Sequence, residues 1–286
     1  MAELLKGSQA AAALEPRIRE GITRLGEKGV VPALAVVRVG ERGDDVSYER
    51  SICKRCATFG VEVRKCAFET GVSQQELLEC IEALNRDETI HGVLIFRPLP
   101  ENIDSEAVCR VLALEKDVDG ITDGSLAGMF SGSEKGFAPC TPQACMEILD
   151  CFGIDPKGKR AVIVGRSLVV GKPAAMMLLA KHATVTICHT RTVDLPARCR
   201  EAEILVVAAG QAGAVGRDCF SPGQVVIDVG INVGEDGSLC GDVVFAEAEP
   251  IVKAITPVPG GVGAATTQVL AYHVVQAAVR QQLDKP

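Results

Sequence analysis

The chain has 286 residues, 47% of them hydrophobic, which is enough for one large or two medium domains with a sizeable core. A formal net charge of −7 argues against nucleic acid as the main partner, because phosphate binding needs a basic surface. Trp is absent and only two Tyr are present, which disfavours a stacking platform for sugars or single strands.

In chain order, the opening MAELLKGSQAAAALEPR has no basic segment followed by a long apolar block, so no secretory signal is expected. No apolar run approaches the ~20 residues of a membrane span, and the chain reads as cytoplasmic. The runs 33-ALAVVRV-39, 61-VEVRKC-66 and 91-HGVLIF-96 read as strands. Helices are expected between them, near 46–59 and 73–86, the second opened by Ser73 with Glu76 three residues on. A helix over 142–152 is expected to bridge a domain boundary near 140–150. A second strand series follows: 161-AVIV-164, 183-ATVTIC-188, 203-EILVVA-208 and 225-VVIDV-229. These are short, apolar and β-branched, as in a parallel sheet covered on both faces. A helix is expected from Gly171 to about Lys181, and a final one over about 262–282 after a Pro/Gly-rich loop. The alternation of apolar strands and amphipathic helices makes the fold class α/β.

Twelve cysteines are scattered along the chain, several in apolar segments where a thiol acts as a small hydrophobe. The pair Cys53-Lys-Arg-Cys56 has no second pair or histidines beside it, so it reads as helix cysteines, and no metal is expected.

The segment 161-AVIVGRSLVVGKPAAMMLL-179 reads as strand, glycine-bounded turn and helix, the place where a Rossmann unit seats a pyrophosphate on helix N–H groups. The usual G-x-G-x-x-G is replaced by Gly165-x-Ser167-x-x-Val170-Gly171. An NAD-type site ends its second strand in a carboxylate that holds the ribose diol. Here that tip is 187-ICHTRT-192, with Thr190 and Arg191, and Arg166 sits in the first turn. Two cations and hydroxyls suit a 2′-phosphate, so NADP is expected; Asp194, just beyond, leaves NAD as the alternative. His189 reads as structural.

Seven blocks taken together carry a more specific resemblance: 92-GVLIFRPLP-100, 116-KDVDG-120, 139-PCTP-142, 164-VGRSLVVGKP-173, 227-IDVGIN-232, 241-GDVVF-245 and 255-ITPVPGGVG-263. In this order and spacing the chain resembles the bifunctional methylenetetrahydrofolate dehydrogenase/methenyltetrahydrofolate cyclohydrolase family over nearly its whole length. The resemblance implies a folate-binding catalytic α/β domain over 1–145 with a C-terminal helix about 268–286. It also implies a Rossmann-type doubly wound parallel sheet over 146–267, a cleft between the two, a homodimer, and a role in one-carbon metabolism and purine biosynthesis. By the same resemblance Asp119 holds the pterin and Tyr48 lines the folate site. Pro98, Leu99, Gly260 and Gly261 contact substrate, and Gly165, Arg166, Ser167, Thr190 and Ile231 contact NADP, beside the Arg191 that the charge argument above assigns to it.

Two of the chain's departures from the family are linked. The family pattern is Y-V-x-x-K-x-K; aligned on Gly40, Tyr48 and Gly60, the catalytic lysine falls on Ile52 and the second lysine on Lys54. The family's Q-L-P-L-P becomes Phe96-Arg97-Pro98-Leu99-Pro100, so the glutamine that orients that lysine is Phe96. On a helix, position 52 lies ~40° around the axis from Tyr48 and position 54 lies ~240° away, so Lys54 is not expected to substitute. Arg97 follows Phe96 on the expected strand and should point to the opposite face; its guanidinium is in any case not a base. Asp45, a new carboxylate in 43-GDDVS-47, reads as a solvated loop acid.

Moving a hydride is mainly a matter of placement. Adding water requires a proton acceptor, whose contribution is typically ~10²–10⁴-fold. The expectation is therefore a dehydrogenase whose cyclohydrolase activity is lost or strongly impaired. The alternatives are the full bifunctional enzyme, with water positioned by Tyr48 and Asp45, and a non-catalytic folate- or nucleotide-binding protein. An oxidoreductase of the same fold acting on another substrate completes the set.

Overall fold

A computed structural model describes residues 1–133, 135–234 and 237–284, and the chain divides into two compact α/β units. One unit comprises Leu14–Cys140 with the residues from Thr267 on; the other comprises Met1–Ala13 with Thr141–Thr266.

The first unit is built on a three-stranded parallel sheet in which Ala33–Val39 lies between Glu62–Phe68 and Gly92–Ile95. Every residue of the central strand is buried. Its side chains Ala35 and Val37 join Leu77, Ile81, Leu84, Val93 and Ile95 in the core. Helix Gln74–Arg86 begins as its sequence predicts, with the Glu76 N–H donating to Ser73 Oγ at 3.2 Å. Its C-terminal end is held by the buried Lys116, whose Nζ donates to the carbonyls of Leu84 and Asp87, both at 2.7 Å.

Helix Gly43–Thr58 starts three residues before its expected position, so Asp45 lies in its first turn and not in a loop. There it pairs with Arg42 at 3.2 Å and is largely buried. The strand expected over 91–96 ends at Ile95, so Phe96 and Arg97 lie beyond the sheet and the alternation argument for Arg97 does not hold.

The inner face of the Gly43–Thr58 helix carries Glu49, Ile52 and Cys56. Glu49, which stands where the family pattern has Val, accepts from Arg38 Nε at 2.9 Å and from Lys65 Nζ at 2.8 Å. Arg38 and Glu49 are both buried, so removing Glu49 leaves Arg38 a buried charge without its carboxylate. Glu49→Ala is expected to lower the unfolding free energy by about 3–5 kcal/mol, measured by urea denaturation. The paired change Arg38→Leu with Glu49→Val should recover most of that loss, since an apolar pair of similar volume is often neutral.

The sequence pattern did not declare helix Gly7–Gly26, although Leu14, Ile18 and Leu25 fall on one buried face. Within this unit Gly21 lets it approach the final helix, Val262–Gln282: a Cβ there would come within 2.5 Å of Val275 Cγ1.

The other unit is a six-stranded parallel sheet. Its order is Glu3–Leu4, Ala254–Ile255, Val225–Asp228, Ile204–Val207, Arg160–Val164 and Thr184–Cys188. The four strands read from the sequence form a continuous block of this sheet. The two at the far edge have two residues each, too short to show a period. The inner strands Ile204–Val207 and Val225–Asp228 are buried throughout, as expected for a sheet covered on both faces. The reversal of strand order between Arg160–Val164 and its neighbours marks the switch point of a doubly wound sheet.

Candidate active site

In the first unit two of the sequence-predicted site residues, Tyr48 and Asp119, come close to one another. Asp119 sits in the turn that follows a short bridge between Val93 and Asp117. The turn is held from beneath by Asp117, which is fully buried. Its carboxylate accepts from Ile121 N at 2.9 Å, Thr122 N at 2.8 Å, Thr122 Oγ1 at 2.7 Å and Ser125 Oγ at 2.6 Å. Gly120, at φ +62°, lets the Phe137–Pro139 backbone close over the turn; a Cβ there would meet Phe137 O at 2.5 Å. That approach brings the Cys140 N–H to Asp119 Oδ1 at 3.2 Å. Burial pushes the Asp119 carboxyl above its ordinary value, while Cys140 and the positive charge of Arg97 pull it down.

Tyr48 lies close enough to this centre that burial first, then Cys140 and Asp119, raise its phenol far above its ordinary value. Its ring rests against Phe96 with centroids 5.7 Å apart. Ile52, one turn along the helix, is 1% exposed and Phe96 is 7% exposed. Both positions are therefore apolar and buried. Lys54 is exposed to solvent, as its helical position requires. Arg97 is half-buried, and its field reaches Asp119, which corrects the expectation that it points away. Leu99 packs against the core, and Pro98 is exposed. Cys53 and Cys56 are free thiols of the same helix.

In the other unit the glycine turn is tight. Gly165 has φ +138°, and a Cβ on it would lie 2.2 Å from Ala208 O. A Cβ on Gly171 would lie 2.3 Å from Gly165 O. Ser167 Oγ accepts from Val170 N at 3.1 Å and Gly171 N at 3.4 Å, setting the start of helix Gly171–Ala180. Arg166, Ser167, Thr190 and Arg191 are exposed around it, and Ile231 is 66% exposed. His189 serves the local backbone, its Nδ1 accepting from Arg191 N at 3.1 Å. Asp194 accepts from Ala197 N at 3.2 Å as the cap of helix Leu195–Arg200. Its carboxylate is thus engaged by its own chain. In the 257–263 loop Gly261 is buried against the chain: a Cβ on it would meet Pro257 O at 2.5 Å. Gly260 is exposed, with its carbonyl accepting from Gly7 N at 2.9 Å. The tight turn at a helix N-terminus with flanking cations fits a dinucleotide phosphate.

A glycine-tight turn opening a helix on a doubly wound sheet, in one chain with a second α/β unit that carries the half-buried carboxylate of Asp119, is the layout of a dinucleotide-dependent α/β enzyme. Residues 5–119 match the tetrahydrofolate dehydrogenase/cyclohydrolase catalytic domain, and residues 139–282 match the NAD(P)-binding domain of the same family. The chain belongs to the tetrahydrofolate dehydrogenase/cyclohydrolase family. It is 48% identical to the bifunctional protein FolD of Carboxydothermus hydrogenoformans, with 97% of each chain covered. It is also similar to the crystal structure of the bifunctional FolD enzyme from Campylobacter jejuni, with a TM-score of 0.94, 38% identity and coverage of 97% and 99%. A third likeness is to the Trypanosoma brucei enzyme in complex with NADP and an inhibitor, with a TM-score of 0.91, 33% identity and 98% of each chain covered.

Proposed function

We propose that the protein oxidises 5,10-methylenetetrahydrofolate to 5,10-methenyltetrahydrofolate with NADP, and that its methenyltetrahydrofolate cyclohydrolase activity is lost or strongly impaired. One observation carries this reading. The two positions where the family keeps its lysine and the glutamine that orients it are both apolar and buried, Phe96 against the Tyr48 ring and Ile52 one helical turn on from Tyr48. Asp119 is the acceptor for the paired N–H donors of the pterin, and Tyr48 covers the substrate. Bound at the Gly165 turn, NADP supplies the ring carbon that accepts the hydride. The rest of the pocket works by placement: Phe96, Ile52 and Tyr48 shape the wall and exclude water. No side chain on that wall can take a proton from an attacking water.

The bifunctional reading is the alternative, favoured by the names of the relatives and by the cation that Arg97 places near Asp119. A guanidinium does not act as a base, and Asp45 is tied to Arg42. Spectrophotometry separates the readings: NADPH forms from methylenetetrahydrofolate while the methenyl product accumulates. Prompt conversion of that product to 10-formyltetrahydrofolate would favour the bifunctional enzyme. Absence of NADPH formation would favour a binding protein.

The preference for NADP over NAD rests on Arg166 and Arg191 and on the engagement of Asp194 as a helix cap. Arg191→Ala is expected to raise KM for NADP roughly 10–100-fold, the worth of one charge-assisted phosphate contact, and to leave KM for NAD unchanged. An equal loss for both cofactors in steady-state kinetics would remove Arg191 from the 2′-phosphate. The protein is further proposed to be cytoplasmic and homodimeric. Strand Thr184–Cys188 is a sheet edge with Ile187 36% exposed, a surface suited to a second copy; light scattering gives the mass.

A further inference from the structure

Two buried carboxylates tie together the carboxyl ends of strands Ile204–Val207 and Val225–Asp228. Asp228 accepts at Oδ1 from Gly230 N at 3.0 Å and Asp242 N at 3.1 Å, and at Oδ2 from Val243 N at 3.1 Å. Asp242 is the next link. Its Oδ1 accepts from Asn232 Nδ2 at 2.9 Å, and its Oδ2 accepts from Gly210 N at 2.8 Å. Two glycines admit the carboxylates: a Cβ on Gly241 would collide with Asp228 Oδ2, and one on Gly230 with Asp242 Oδ1.

Both ends of this chain of bonds reach the cofactor crevice. Gly210 closes the segment that follows strand Ile204–Val207. In that segment Ala208 donates its N–H to Val164 O at 2.8 Å, and its carbonyl stands where a Cβ on Gly165 would have to go. Gly210 is thus two residues from a direct packing contact with the turn that seats the dinucleotide phosphate. At the other end, Asn232 follows the exposed Ile231, which the family resemblance assigns to the cofactor. The sheet order says which half of the cofactor comes here. With the 2′-phosphate at Arg191, beyond strand Thr184–Cys188, and the pyrophosphate at the Gly165 turn, the rest of a dinucleotide runs across the switch point onto strands Ile204–Val207 and Val225–Asp228. That is the nicotinamide half.

We propose that Asp242, seated on Asp228, is a positioning residue for the dehydrogenase: it holds the Gly210 main chain and the Ile231–Asn232 corner where the nicotinamide half of NADP is received. This rests on NADP as the proposed cofactor. A carboxylate accepts at both oxygens, so one side chain fixes two separate segments at once. Asp242 is fully buried with both oxygens engaged, so it acts through the main chain and not on the cofactor itself. Placement is what hydride transfer demands.

The test compares Asp242→Ala, Asp242→Asn and the parent, with a thermal melt of each. Calorimetry measures the binding of NADPH and of 2′,5′-ADP, which carries the adenosine half with its 2′-phosphate and no nicotinamide. Asp242→Ala is expected to weaken NADPH roughly tenfold, the worth of one hydrogen bond to a charged acceptor, and to bind 2′,5′-ADP within about twofold of the parent. Asp242→Asn should follow the parent. Its amide oxygen still accepts from Gly210, and its N–H groups meet the Asn232 oxygen once that side-chain amide turns over. In turnover, Asp242→Ala should lower kcat roughly tenfold with KM for methylenetetrahydrofolate unchanged. Should Asp242→Ala not fold, Asn232→Ala removes the half-buried end of the same chain of bonds and should weaken NADPH roughly threefold to tenfold, again sparing 2′,5′-ADP. Equal losses for NADPH and 2′,5′-ADP, no loss for NADPH, or an Asp242→Asn variant that behaves like Asp242→Ala overturns the proposal. Should the parent bind NADH in place of NADPH, the cofactor reading fails instead, and NADH against adenosine 5′-diphosphate decides the role of Asp242 in the same way.

Discussion

Asp119→Ala is expected to lower kcat/KM for methylenetetrahydrofolate by roughly 10²–10⁴-fold, because two hydrogen bonds to a charged acceptor are lost together. The loss should fall mainly on KM, since Asp119 holds the pterin and not the carbon that gives up the hydride. Asp119→Asn should do nearly as badly: its amide keeps one oxygen but presents N–H groups to N–H groups. Neither variant should unfold, because the turn is held by Asp117 and its four hydrogen bonds and not by Asp119. Steady-state kinetics with a thermal melt as control check this. Activity within tenfold of the parent would mean that the pterin is held elsewhere.

The second large effect is a gain. Ile52→Lys with Phe96→Gln places a base and its amide partner back beside Tyr48, and methenyltetrahydrofolate hydrolysis should appear above the spontaneous rate. The ceiling is the ~10²–10⁴-fold that a general base contributes. The double variant should fall short of it for a reason visible in the fold. Glu49 lies three residues before position 52 on the same buried helix face. At that spacing it can draw a new ammonium into an ion pair and away from the pocket. Adding Arg38→Leu and Glu49→Val removes the competing carboxylate together with its partner, and the four-fold variant should hydrolyse faster than the double one. Equal rates would clear Glu49 of that part; no hydrolysis in either would show that the two positions are not what separates the activities.

Much of this was legible in the residues, for physical reasons. The buried parallel strands Arg160–Val164, Ile204–Val207 and Val225–Asp228 are apolar and β-branched because both faces are covered, and such runs stand out. The exposure of Lys54 and the burial of Ile52 follow from helix geometry alone. Arg97 was misread because strand alternation was carried one residue past Ile95, where the sheet stops. Asp45 was misread as a loop acid because the helix gains an extra first turn, where its pairing with Arg42 is made. The contact between Cys140 and His273 could not be read: the two are 133 residues apart, and only the fold puts them on the same carbonyl. The Arg38–Glu49 pair had one sequence signal, a Glu where the family pattern has Val, but its partner lies on a neighbouring strand.

The most direct measurement supplies 5,10-methenyltetrahydrofolate to the purified protein at neutral pH and follows its disappearance against a protein-free control. A sample shown to reduce NADP with methylenetetrahydrofolate should leave the methenyl compound decaying at the control rate. Saturable, protein-dependent hydrolysis in that same sample would contradict the account, because it would require a proton acceptor on a wall here made of Ile52 and Phe96.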